Sequence, residues 1–394
     1  MDPLRDVLRG QLTNRNEVSR RFFEREADRL ASACQEMARR FSRGGRLFAF
    51  GTGSGVTDAQ HVAVEFVHPV IVGKRALPAI DVSTRYCQWS AALVQPDDIV
   101  MGFDPTGSDP GVARAIAAAN GRGAQTFGLC GRAARYAIGP IDDDPFIHQE
   151  IVEVLYHVVW ETVHVFLEHT PLGHDAGAAG FLYPFLASAP QDASGLLPHV
   201  ASSIKSKARD DERLRDAVAD QGGETIVRAV RAIHQRITAG GTLLLLGNGG
   251  SATDATDWAL DCIDSPKGYP PVAALSLAAD AATISAIAND VGHESTFVRQ
   301  LIALAQPNDV VIAITTSGGS ANIVAALLEA RKRHLLTIGL TGYDGGEIGR
   351  RRLADFTITV PADYVPRIQE VHASVYHAMS DLLALIGRSS ELEE

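Results

Sequence analysis

Short apolar runs, each closing in a glycine- or hydroxyl-rich turn and followed by residues at helical spacing, recur along this chain. In the first half, residues 15–42 have mixed charges with apolar positions at helical spacing and predict one long helix. Strands are expected at 46–50, 99–103 and 125–129, with helices following each turn to about 67, over 112–120 and over 146–168. Residues 170–196 are rich in Gly, Ala and Pro without a clear period and predict a linker. The pattern then restarts. Helices are expected over 197–239, then strands at 242–246, 272–276, 310–314, 335–340 and 356–360. Between them come a helix at 281–288, a turn at 289–292, a helix after residue 320 and a last helix over 365–386.

The two halves are copies. RGGRLFAFGTGSG (43–55) matches AGGTLLLLGNGGS (239–251) at an offset of 196. QPDDIVMGFDPTGSD (95–109) matches QPNDVVIAITTSGGS (306–320) at 211, and Gln149-Glu150…Tyr156-His157 matches Gln369-Glu370…Tyr376-His377 at 220. Three matches in one order exclude chance, and the growing offset places extra residues of the second copy near 265–305. The expected fold class is α/β, two doubly wound parallel-sheet domains with flanking helices, at 1–169 and 197–394.

Composition narrows the function classes. A net charge of -11 argues against nonspecific nucleic-acid binding. No stretch approaches 18 unbroken apolar residues, and the charged N-terminus lacks the apolar core of a signal peptide, so no membrane association is expected. Cys34, Cys87, Cys130 and Cys262 lie far apart and form no metal or disulfide pattern, which fits reduced thiols in a cytoplasmic protein.

Two kinds of candidate chemistry emerge. The turn Gly247-Asn248-Gly249-Gly250-Ser251 links a buried strand to a helix start, where glycines admit close backbone approach and unpaired N–H groups face an anion. A second such loop, Thr315-Thr316-Ser317-Gly318-Gly319-Ser320, adds hydroxyls that can hold a phosphate without a full positive charge. Its first-copy counterpart reads Asp104-Pro105-Thr106-Gly107-Ser108-Asp109, whose carboxylates would repel phosphate unless they point away. The other kind is a set of nitrogen and oxygen donors. His61 and Glu65 are four apart on one helix, and Gln149 and His157 eight apart on another, so each pair shares a face. In the second copy Asp257 and Asp261 replace the first pair, while Gln369 and His377 keep the second.

These motifs resemble a known family. GNGGSATDATDWA (247–259), AIANDVG (286–292), ITTSGGSAN (314–322), LTGYDGG (340–346) and RIQEVHASVYH (367–377) make the second half similar to sugar isomerase (SIS) domains of the phosphoheptose isomerase type. GTGSGVTDAQHVAVEF (51–66) and HQEIVEVLYH (148–157) carry the likeness more distantly in the first half. The resemblance implies flavodoxin-like domains and conversion of sedoheptulose 7-phosphate to D-glycero-D-manno-heptose 7-phosphate for heptose-nucleotide synthesis. It also implies a zinc-supported site between subunits in a family of single-domain tetramers, which a two-domain chain could build as a homodimer. His61, Glu65, Gln149 and His157 match the family's Zn2+ ligands, and Asn248, Ser251 and Asp290 match ligand-binding positions.

The copies then carry complementary sets. The expectation is a composite site, with Asn248, Gly249, Ser251, Thr315, Thr316, Ser317 and Ser320 gripping the phosphate and the His61/Glu65 helix supplying acid–base and metal groups. Either Gln369 and His377 or Gln149 and His157 would complete it. Glu65, or Asp261 at shifted geometry, would move the proton, with His157 or His377 handling hydroxyl protons. His68, His148, His164, His169, His293 and His372 lack a second signal and read as surface or supporting residues. A noncatalytic sugar-phosphate sensor or protein-binding module is the competing reading.

Overall fold

The computed structural model describes residues 2–71, 74–130, 133–169 and 193–391. They form two compact units, one of residues 17–210 and one of 1–16 together with 211–394. We call them the first and the second unit.

The first unit contains most of α1 (Pro3–Ser42), then β1 (Leu47–Gly51), α2 (Gly55–Val67), β2 (Ala79–Asp81), α3 (Tyr86–Leu93), β3 (Ile99–Phe103), α4 (Pro110–Gly121), β4 (Gln125–Leu129), β5 (Tyr136–Ile138) and α5 (Pro145–His169). The start of α6 (Ala193–Thr238) closes it. Its five strands are parallel in the order β2-β1-β3-β4-β5. The second unit takes the remainder of α6, then β6 (Leu243–Leu246), α7 (Gly250–Ile263), β7 (Ala274–Ser276), α8 (Ala281–Val291), α9 (Thr296–Leu304), β8 (Val310–Thr315), α10 (Ala321–Lys332), β9 (Leu336–Thr341), α11 (Gly346–Arg351), β10 (Phe356–Thr359) and α12 (Val365–Glu391). Its parallel order, β7-β6-β8-β9-β10, repeats that of the first sheet.

The central strands β1, β3, β6 and β8 are apolar almost throughout, as strands covered on both faces are. Successive strand residues face opposite sides. Leu243 and Leu245 of β6 enter one core with Val310, Ile312 and Ile314 of β8, while Leu244, Leu246, Val311 and Ala313 enter the core on the other face. In the first sheet Leu47 and Ala49 face one core, Phe48 and Phe50 the other. The extra residues of the second copy fall in the connection 277–309, which carries α8 and α9 where the shorter 82–98 carries only α3.

The compact units divide inside helices, at 16/17 and 210/211, beside the expected domains 1–169 and 197–394. Apolar spacing marks a helix face but not the core it serves: Leu8 and Leu12 belong to the core of the second unit, and Val200 and Ile204 to that of the first. Residues 289–291, expected in a turn, complete α8, and the chain reverses only at Gly292, whose φ of 103° suits glycine. The expected linker lies outside the described residues except for 193–196, which are helical. Among the described residues, no helix is long and apolar enough to cross a membrane.

Candidate functional site

In the second unit the glycine turn hangs on one close contact. A Cβ on Gly247 would lie 2.1 Å from the Ser251 carbonyl oxygen, so only glycine lets β6 fold back onto the start of α7. Gly249 is exposed, Asn248 is half-buried and Ser251 is buried. The hydroxyl loop follows β8. Thr315 is buried at the strand end, Thr316 and Ser320 are half-buried, and Ser317 is exposed. Neighbouring backbone braces this loop: Gly342 donates to the Thr316 carbonyl at 2.8 Å and Ile348 to the Gly318 carbonyl at 3.0 Å. Ser317 Oγ accepts the Gly319 N–H at 3.2 Å, which leaves its own O–H to donate outward. Ser320 is the N-cap of α10 but makes no side-chain cap bond. The loop therefore presents hydroxyls and a helix start to an incoming anion.

The equivalent loop of the first unit already holds an anion, its own. Asp104 is buried; its Oδ1 accepts the N–H and O–H of Thr106 at 3.1 and 2.7 Å, and its Oδ2 accepts the Asp109 N–H at 2.8 Å. Asp109 caps α4, accepting the N–H groups of Gly111 and Val112 at 2.6 and 3.1 Å. The carboxylates point inward, not away, and occupy the donors a phosphate would need. Wild-type protein is accordingly expected to bind one phosphate per chain by titration calorimetry, and Asp104→Ser with Asp109→Ser to raise that number.

The first unit also holds a buried cluster. His61 and Glu65 of α2 and His157 of α5 bring one ligand atom each within 4.8 Å of the others. His61 Nε2 is 3.3 Å from His157 Nε2 and 3.9 Å from Glu65 Oε1, and Tyr156 Oη lies 2.9 Å from His61 Nδ1. Burial and the neighbouring His157 push His61 well below the usual histidine range, toward the neutral imidazole that ligates metals. Burial, and secondarily the Glu161 carboxylate, push Glu65 up to about 8. Glu65 Oε2 is buried without a hydrogen-bond partner. Two imidazoles and a carboxyl whose Oε2 lacks a partner suit a cation of the zinc class. Gln149, the fourth expected donor, lies two helical turns before His157 and lines a small cleft with Asp58, Phe103 and Asp104.

In the second unit Asp257, Asp261 and His377 form the matching cluster. Tyr376 donates to Asp257 Oδ2 at 2.9 Å, and His377 Nε2 lies 3.2 Å from Asp261 Oδ2. Burial raises Asp261 while the histidine opposes the rise. Gln369 is buried on α12, eight residues before His377. Asp290 is exposed at the end of α8 and bonded to Asn289.

Several roles were not read from sequence. Tyr156 and Tyr376 each touch the first residue of the i, i+4 pair opposite them, and Asn322 pairs with Asn248. The tyrosines could have been found as part of the Tyr-His repeat. Of the remaining histidines, His68 and His293 are exposed, whereas His148, His164 and His372 are buried and meet main-chain groups, a correction to any surface reading. The His169 side chain lies outside the described residues. The four cysteines are free, with Cys87 partly exposed.

Comparison with known proteins matches residues 209–342 to the SIS domain family. The chain is 39% identical over 184 residues to a phosphoheptose isomerase of Geotalea daltonii, covering 93% of that protein and 46% of this chain. A phosphoheptose isomerase of Methylibium petroleiphilum is 40% identical over 174 residues, covering 87% of that protein and 44% of this chain. Two-sheet folds of the same kind occur in solved structures. The C-terminal domain of glucosamine-fructose-6-phosphate aminotransferase from Francisella tularensis covers 96% of this chain with a TM-score of 0.59 at 9% identity. Tagatose-6-phosphate ketose/aldose isomerase from Escherichia coli covers 96% with a TM-score of 0.57 at 13% identity.

Proposed function

Because the chain belongs to the SIS-domain family of sugar-phosphate isomerases, we propose that it converts sedoheptulose 7-phosphate to D-glycero-D-manno-heptose 7-phosphate, for heptose-nucleotide synthesis. The observation that carries this reading is the open hydroxyl loop 315–320, on the half of the chain that matches the isomerases.

Thr315, Thr316, Ser317 and Ser320 would hold the phosphate, with Asn248, Gly249 and Ser251 of the glycine turn binding the same ligand. Gln369 and Asp290 are assigned to substrate by resemblance alone. A carboxylate takes the proton from carbon 1 of the ketose, the electron pair moves into an enediolate, and the proton returns to carbon 2. Glu65 is our choice for both transfers. A carboxyl raised to about 8 can take and return a proton near neutral pH, and Oε2 has no other partner. His157 or His377 would carry the proton exchanged between the hydroxyl oxygens, and Asp261 is the alternative base. His61, Glu65 and His157, with Gln149, would hold Zn2+, which when bound supplies Lewis-acid stabilisation of negative oxygen. A homodimer, of mass about twice the 42.0 kDa chain by light scattering, is part of the proposal.

Ser317→Ala tests the phosphate grip. It should raise KM for sedoheptulose 7-phosphate about tenfold, the weight of one hydrogen bond to a charged group. An unchanged KM would remove Ser317 from the site. The self-filled loop 104–109 favours a second reading, a sugar-phosphate sensor without turnover. Tight binding of the sugar phosphate with no aldose formed would support it.

A further inference from the structure

The side chain of Asn322, 1% exposed at the start of α10, ties the glycine turn to a histidine with no other role in the site. Asn322 Oδ1 accepts the Ile323 N–H at 3.0 Å. A backbone N–H can only donate, so this bond fixes which end of the carboxamide is oxygen. The Nδ2 group then donates to Asn248 Oδ1 at 2.8 Å and to His293 Nε2 at 3.2 Å, with Thr296 Oγ1 at 3.4 Å. Asn248 answers with its own Nδ2 on Asn322 Oδ1 at 2.9 Å. Each amide orients the other, and His293 receives the remaining hydrogen. Facing that donor, His293 Nε2 must be the unprotonated nitrogen. The Gly292 backbone, at a φ of 103°, delivers the imidazole there.

We propose that His293 is a positioning residue. By accepting from Asn322 it adds a second tie to an amide whose orientation the Ile323 N–H already sets, and so holds the pair in the place where Asn248 meets the sugar phosphate. The proposal rests on Asn248 binding substrate, as in the function proposed above. A contrast within the chain supports it independently. The first-unit counterparts of Asn248 and Asn322 are Thr52 and Gly111, and a Cβ on Gly111 would lie 2.2 Å from the Tyr86 hydroxyl, which would have to move aside for an asparagine. The shorter connection 82–98 contains no histidine. The unit whose loop is filled by its own carboxylates thus lacks all three members, and the unit with the open loop has them.

The test compares wild type, His293→Leu and His293→Gln in the full chain, with calorimetric binding of sedoheptulose 7-phosphate and steady-state rates. His293 is exposed, so neither variant should unfold the protein. Leucine removes the acceptor and should weaken binding and raise KM about tenfold or more, with kcat changed much less. Glutamine restores an acceptor oxygen and should recover most of the loss. A His293→Leu protein that binds as wild type does would overturn the positioning role and leave the isomerase reading standing. Loss of kcat in both variants would mean that the ring itself contacts reacting atoms, which also overturns it. Wild-type protein that neither binds nor converts the sugar would sink both.

Discussion

Glu65→Gln is expected to lower turnover by about 10²–10⁴-fold, the range of general acid–base catalysis, and at the same time to stabilise the metal-free protein. The first effect follows if this carboxylate moves the substrate proton. Asp261→Asn should then cost less, and a reversed order would transfer the chemistry to the Asp261–His377 cluster. The second effect has a definite sign. Glu65 sits near 8 in the folded chain against 4.5 when unfolded, so the folded state holds this proton more tightly. Its contribution to stability is greatest below about 4.5 and is lost as pH rises toward 8. Glutamine cannot ionise and escapes that loss. After chelation, Glu65→Gln should exceed wild type by about 3–5 kcal/mol at pH 8, as an order of magnitude, with the gap closing near pH 4. Added Zn2+ should restore wild type and not the variant. Urea denaturation at both pH values measures this, and a variant no more stable than wild type at pH 8 would contradict a buried carboxyl raised to about 8.

The second large effect concerns the first sixteen residues. Leu8 and Leu12 are each 1% exposed in the core of the second unit, and Arg15 pairs with Asp381 at 3.2 Å, both side chains being buried. Leu12→Ala should destabilise that unit by about 2–5 kcal/mol, as for leucine truncation in a packed core. Deleting residues 1–16 should do more, because it also leaves Asp381 buried without its cation. Hydrogen exchange locates the damage: protection should fall in β6, β8 and α12, not in β1 and β3. Uniform loss, or loss in the first sheet, would contradict the division between units.

The sequence made the central strands legible because they are apolar on both faces, and their turns because glycines and hydroxyls punctuate them. It did not reveal β2, a three-residue strand with Ile80 exposed, or β5, equally short. α3 and α9 hold equivalent places just before β3 and β8, but their sequences diverge, so comparing the copies did not reveal them. Helical spacing puts 61 with 65 and 257 with 261 on one face, but joining 157 and 377 to those pairs rests on the family resemblance. Where Asp104 and Asp109 point was not readable. An inward carboxylate and an outward one have the same sequence, and only the bonds to Thr106, Gly111 and Val112 decide. The Asn322–Asn248 pairing was hidden for the same reason: it joins two loops distant in the chain.

The most direct measurement is NMR of sedoheptulose 7-phosphate incubated with the protein in deuterated water, with and without chelator. An enediol route predicts a new anomeric aldose signal and deuterium at the carbon beside the carbonyl, both lost in Glu65→Gln and diminished by chelation. An unchanged ketose spectrum, with the sugar bound and no deuterium incorporated, would contradict the isomerase reading.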